Sequence, residues 1–159
     1  MVQTTGQFDE QRVLAEVWHW FFDDYLPRWA AAGERGEDSS FVTEYWGAPL
    51  WVSIDDMPVI LAATEAEVAE ILRPIHGRLK AAGYSHTSVP DRRVVVFNSN
   101  SAQVSAIWSR RRPDESEIER CAVNFSLMRR QDGWRVLHIQ QKTTDASDLT
   151  DVWSAHKTL

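Results

Sequence analysis

A histidine, an aspartate and a tyrosine are the residues of this chain best suited to moving a proton at neutral pH. His138 sits in the apolar run Trp134-Arg-Val-Leu-His-Ile-Gln-Gln141, and an imidazole's ordinary pKa near neutrality suits general acid–base work. Asp24 lies four residues before Arg28. It is either an i,i+4 ion-pair partner or a carboxylate at a cavity mouth beside Tyr45, whose hydroxyl would be the donor. His138 in turn is either a pocket base or a residue on the outer, subunit-facing side of a sheet. Trp108, Trp46, Phe21 and Trp20 offer aromatic surface and Asn124 a polar contact. With eight tryptophans in the chain, that set suits a pocket for a flat or apolar small molecule, or else a core filled by its own rings.

Other chemistries lack their residues. There is no GxGxxG, GxxxxGK[ST], HExxH, CxxC or GxSxG, so nucleotide, zinc and covalent-serine mechanisms have no motif to rest on. His19, His76, His86, His138 and His156 show no metal-ligand spacing, so neither a metal nor a cofactor is expected. Cys121 is the only cysteine, which rules out an intrachain disulfide and fits a reducing compartment. A net charge of −6 disfavours nucleic acid or an anionic membrane as partner. The arginines at 92, 93 and 110 to 112 lie close to Asp91, Asp114, Glu115, Glu117 and Glu119, and read as strand-end charges paired across a sheet. The N-terminus shows no signal-peptide pattern, and no apolar run approaches ~18 residues. A soluble cytoplasmic protein is expected.

The elements that would position these residues follow from periodicity. Leu14, Val17, Trp18, Phe21 and Tyr25 form an apolar stripe at helical spacing, predicting a helix over 8–26 that Pro27 ends or kinks. Asp24 projects at the edge of that stripe. Trp29 to Ala32 would add a turn before a left-handed stop at Gly33. Phe41 to Ile54 reads as extended, interrupted at Gly47-Ala48-Pro49, and 58–62 as a short return strand. Thr64 and Glu67 form a capping box opening a helix that ends at Gly83. His76 lies beside that helix's stripe and reads as structural. Val94 to Phe97 is a further strand. Then Ala102, Val104, Ala106 and Trp108 alternate with polar residues, as do Cys121, Val123, Phe125 and Leu127, and Asp132-Gly133 makes a hairpin turn into the last strand. On that strand, plain alternation puts His138 on the face of Trp134, Val136 and Gln140. The opposite face would carry Leu137 and Ile139. Residues 144–159 read as a tail or short helix, and nothing divides residues 1–159 into two domains.

This order of elements resembles the SnoaL-like branch of the nuclear-transport-factor-two-like superfamily. The residues that carry the resemblance are Tyr45-Trp-Gly-Ala-Pro49 after the first helix, Gly83-Tyr84 closing the second, and Asp132-Gly-Trp-Arg-Val136. It spans roughly residues 8 to 143. The resemblance implies an α+β fold in which a curved mixed, mainly antiparallel sheet wraps around N-terminal helices, a cone with a cavity at its open end. It also implies a homodimer formed through the sheet. Relatives of this fold include cyclases, isomerases, dehydratases and non-catalytic binding proteins, so fold alone does not fix function. Several of the enzymes use a sheet carboxylate, and between Ser101 and Ser109, Cys121 and Met128, and Trp134 and Thr143 this chain has none. Two readings follow: a cofactor-independent isomerase, cyclase or dehydratase using His138, Asp24 and Tyr45, or a non-catalytic ligand-binding or assembly protein.

Overall fold

The computed structural model describes residues 8–153. Five buried residues spaced by four, Val13, Val17, Phe21, Tyr25 and Trp29, run along one line of the N-terminal helical segment. In a regular α-helix such a line drifts about 40° per step, because four residues turn about 400°. The chain counters the drift. Helix α1 (Glu10–Trp18) passes into a π-helical stretch (His19–Tyr25) before α2 (Leu26–Arg35). There Leu26 N–H bonds to the Phe21 carbonyl, and such wider turns keep the line facing inward.

Pro27 therefore does not end the segment. It falls in the first turn of α2, where a missing N–H costs little. Nor does Gly33 end it: the helix stops at Gly36, which has φ 67°. Gly33 is a contact position instead, since a Cβ there would lie 3.2 Å from both the His76 and Tyr84 rings.

A 3-10 turn (Ser39–Glu44) replaces the beginning of the expected extended segment. Local bonds hold it: Asp38 accepts from Ser40 N at 3.0 Å, and the Thr43 hydroxyl donates to the Ser40 carbonyl at 2.9 Å. Strand β1 (Trp46–Ile54) and β2 (Ile60–Ala62) form a hairpin. Helix α3 (Glu65–Ala81) opens on the capping box, with Thr64 and Glu67 each satisfying the other's backbone. It continues through Pro74 and ends before Gly83.

The remaining strands are β3 (His86–Ser88), β4 (Arg92–Asn98), β5 (Ser101–Arg111), β6 (Glu117–Arg130) and β7 (Gly133–Thr143). They complete a seven-stranded curved sheet ordered β2-β1-β7-β6-β5-β3, with β4 also on β5. Only β1 against β7 is parallel; the other pairings are antiparallel. The inner face carries Val104, Ala106, Trp108, Val123, Phe125 and Leu127 against the helical line. Burying a side chain such as Phe21 there contributes about 2–3 kcal/mol.

Strict alternation fails in β7. Leu127 pairs with Val136, but Ser126 pairs with His138, so Leu137 is an extra residue. Such a bulge exchanges the two faces beyond it. Trp134 and Val136 therefore share the inner face with Ile139 and Gln141, while His138 and Gln140 turn outward. This corrects the assignment of His138 to the face of Trp134 and Val136. Beside the bulge, a Cβ on Gly47 would come within 2.9 Å of Leu137 Cδ2, and the β1 register also shifts between Trp46 and Trp51.

After β7 a 3-10 turn (Leu149–Asp151) lays Leu149 and Val152 over Ile107 and Ala122 on the outer face. The C-terminal stretch, expected as a tail or short helix, is thus a docked turn as far as 153. Residues 154–159 lie outside the described part.

The Gly33 contact gives a test. Ala is a better helix former than Gly by about 1 kcal/mol, but here its methyl meets two buried rings. Gly33→Ala should lower stability by about 1 kcal/mol, or about 2–4 °C in Tm, because overpacking outweighs propensity. Thermal unfolding by circular dichroism measures it, and a raised Tm would overturn the packing argument.

Candidate functional site: the neck of the cone

Between the helices and the inner sheet face lies a cavity of about 40 Å³, walled by Tyr25, Trp29, Trp46, Trp108 and Phe125. An open groove of about 800 Å³ runs outside it, between the β1–β2 hairpin and α3, over Met57, Ile60 and Pro74. Ile54, Ile71, Ile75, Arg110 and Gln141 line both, so they form the neck that joins groove to cavity.

The charge at the neck comes from one ladder position. Arg110 pairs with Glu119 across β5 and β6, and each continues the inner-facing alternation of its strand by one step. Arg110 is 6% exposed. Its Nη1 donates to Glu119 Oε1 at 2.5 Å, and its Cζ stands 4.7 Å over the Trp29 ring. Such a desolvated cation–π contact is worth about 2 kcal/mol. Glu119 also accepts from Arg78 of α3 at 2.7 and 3.3 Å. Burial works against the Glu119 charge, yet the two arginines outweigh it and hold the carboxyl below its ordinary range. Two cations thus share one anion. Arg110 Nε is buried without a partner.

Tyr25 reaches the cavity from the π-helical stretch and accepts from Trp46 Nε1 at 3.1 Å. Burial raises its phenol well above the usual value, so it stays a neutral hydroxyl. Thr87 and Gln141 add polar atoms to the wall. Among the described residues no carboxylate or imidazole lines the cavity. In the groove, Glu67 is engaged by the capping box and Glu70 pairs with Arg73 at 2.8 Å. Among the described residues no cluster of His, Cys, Asp and Glu could hold a metal ion, and no helix is long and apolar enough to cross a membrane.

The sequence candidates divide. Trp108 and Trp46 line the cavity. Phe21 stacks on Trp108 at 6.3 Å behind the wall, and Trp20 packs on Tyr25 and Tyr45. Neither of these two reaches the space. Asn124 is on the outer face, accepting from Ser105 and donating to Gln140, both at 2.9 Å. His138 is exposed on that same face, in register with Trp51 and Ser126. Asp24 does accept from the Tyr45 hydroxyl, at 3.1 Å. Burial, aided by Asp24 and opposed by Arg28, raises the Tyr45 pKa. Neither residue lines the cavity, and Arg28 pairs with Glu44 rather than Asp24. His138, Asp24 and Tyr45 are not gathered at one site, because the Leu137 bulge turns the histidine to the other side of the sheet. Arg110 and Glu119 were not among the sequence candidates. Carrying each inner-face alternation one step further, past Trp108 and back from Cys121, would have found both.

A family model described as NTF2-like protein (DUF6841) matches residues 15–144. The chain belongs to this family. No curated protein matches the sequence. Solved structures share the fold. One, from Novosphingobium aromaticivorans with a cystatin-like fold, aligns at TM-score 0.60 and 16% identity over 89% of this chain and 94% of its own. A Streptomyces avermitilis protein of the NTF2-like family, provisionally named a dehydratase, aligns at 0.60 and 17% over 87% and 100%. A Xanthomonas campestris protein, provisionally named a calcium/calmodulin-dependent kinase II association domain, aligns at 0.58 and 13% over 86% and 89%. At these identities the likeness is one of fold.

Behind the neck of this NTF2-like protein, His76 of α3 is 2% exposed, and neither ring nitrogen has a partner. It packs edge-on to Trp29 at 4.4 Å. Burial, and secondarily the Arg110 charge, push its pKa down to about 4 from 6.5. The unfolded chain therefore takes up a proton near pH 6.5 that the folded chain refuses until about pH 4. Stability must fall as pH drops through that window, by about 2 kcal/mol between pH 7 and pH 5. His76→Leu should remove that part of the slope and keep stability at pH 7. Urea unfolding at the two pH values checks this; equal slopes in both proteins would overturn it.

Proposed function

We propose that this protein binds a small apolar or aromatic molecule, which enters along the groove and meets the neck. The observation that carries the reading is the continuity of an apolar groove with an aromatic cavity through a neck holding Arg110 and Gln141. Concave apolar space with a few convergent polar groups is the ordinary form of a ligand site. An acid–base isomerase, cyclase or dehydratase is the alternative. It draws on the provisional name of one distant relative, and the cavity wall offers no carboxylate or imidazole to take a proton. Non-catalytic binding is therefore the preferred function, in a cytoplasmic setting consistent with the lone, buried Cys121.

The neutral fluorophore N-phenyl-1-naphthylamine tests the pocket. Its emission should rise on binding with a micromolar Kd. Ile75→Trp, which fills the neck, should weaken binding about tenfold while the circular dichroism melt is retained. No enhancement with wild type, or full binding by the variant, would overturn the reading.

The outer sheet face supports a second element of the proposal, a homodimer. Leu61, Trp51, His138, Ser126, Gln103 and Val95 form one cross-strand row over the sheet. Trp51, Leu61 and Val95 in that row are 45%, 47% and 48% exposed. Exposed apolar side chains at both ends of such a row, with polar ones between, fit a second copy of the same row. Light scattering at micromolar concentration should give a dimer mass, and Trp51→Glu a monomer with an unchanged fold. A wild-type monomer would overturn the dimer.

A further inference from the structure

We infer that the ligand of the neck is an amphipathic carboxylate, its acid group received by Arg110 and its apolar body lying in the groove. This rests on the pocket reading above and deepens it by fixing the ligand's charge and orientation. Three features carry it. The cavity inside the neck has room for about three waters, the size of a head group, whereas the groove of about 800 Å³ outside accommodates a chain or ring. Charge at the neck is unbalanced: Arg78 and Arg110 are both cations and share the single carboxylate of Glu119. Arg110 is also only partly bonded. Nη1 donates to Glu119 while buried Nε has no protein partner, although guanidinium groups that are out of water are usually saturated with acceptors.

A carboxylate at the neck would supply the missing negative charge and acceptor oxygens, in a place where Trp29 already covers one face of the guanidinium. A cationic ligand would meet the surplus positive charge. A neutral alcohol would leave that charge uncompensated. The groove wall of Ile54, Met57, Ile60, Ile71 and Pro74 contributes the same apolar contact to any of the three, so the head group discriminates among them.

Displacement of N-phenyl-1-naphthylamine by octanoate, 1-octanol and octylamine at neutral pH separates these cases. Octanoate should displace at a concentration about tenfold lower than octanol, with octylamine the weakest. Arg110→Met should remove the octanoate advantage, bringing its displacing concentration to that of octanol, while Glu119 keeps Arg78 as its partner. Should that variant not fold, two others of opposite sign carry the test. Arg78→Met should weaken octanoate about threefold, and Glu119→Gln, which adds net positive charge, should strengthen it by a similar factor. Equal displacement by octanoate and octanol overturns the carboxylate inference while the pocket reading stands. Weakening of octanoate by Glu119→Gln also overturns it. Failure of octanoate to change the wild-type tryptophan emission at millimolar concentration overturns it whatever the fluorophore does.

Discussion

A helix that must keep one line of side chains against a curved sheet is the constraint on which this molecule depends. Val13, Val17, Phe21, Tyr25 and Trp29 recur every four residues, a spacing that an ordinary α-helix would rotate away from the sheet. The π-helical stretch over His19–Tyr25 absorbs the rotation, so the last two members of the line still face inward. Those two, Tyr25 and Trp29, are the ones that wall the cavity. π-Bulges are frequent at functional sites, and here the cause is geometric: without the wider turns, neither the phenol nor the indole over Arg110 would be where it is.

The second organising fact is a cation in the cone. Bringing a guanidinium out of water costs several kcal/mol, which Arg110 offsets with a shared carboxylate and an indole face. Because Arg78 of α3 holds the same carboxylate, the ion cluster links the helix that forms one side of the groove to the sheet that forms the floor. The unpartnered imidazole of His76 lies just behind. Arg110 Nε and the two His76 ring nitrogens thus put three unpartnered buried polar atoms around the neck.

Much of this was legible in the sequence, and its failures have physical causes. Alternation in β5 and β6 and the Thr64–Glu67 box are local signals, and the order of elements pointed to the superfamily. Of the two alternatives the sequence left for Asp24, the contact with Tyr45 is present, but away from the cavity. What misled was treating every alternation as strict and every proline as a terminator. Period-2 counting carried through Leu137 put His138 on the wrong face, because a bulge leaves no mark in composition. Pro27 in a first turn looks the same as Pro27 at a helix end. Arg110 and Glu119 were set aside as strand-end charges, since charged residues rarely point into a core. Their placement needed the register that pairs them.

The bulge at Leu137 also bears on how the sequence can change over generations. Leu137 stands against Gly47 across the parallel pairing of the sheet, and a Cβ at 47 would meet Leu137 Cδ2 at 2.9 Å and Arg130 Nη1 and Arg135 Cβ at 3.1 Å, so a side chain there requires its neighbours to give way. Ninety positions apart, the two constrain each other: the absence of a side chain at 47 is what leaves space for the leucine at 137. Loss of the extra residue at 137 would restore strict alternation to the strand and keep Ile139 and Gln141 inward. It is the bulge that lets the strand carry one more residue with the lining of the neck unchanged.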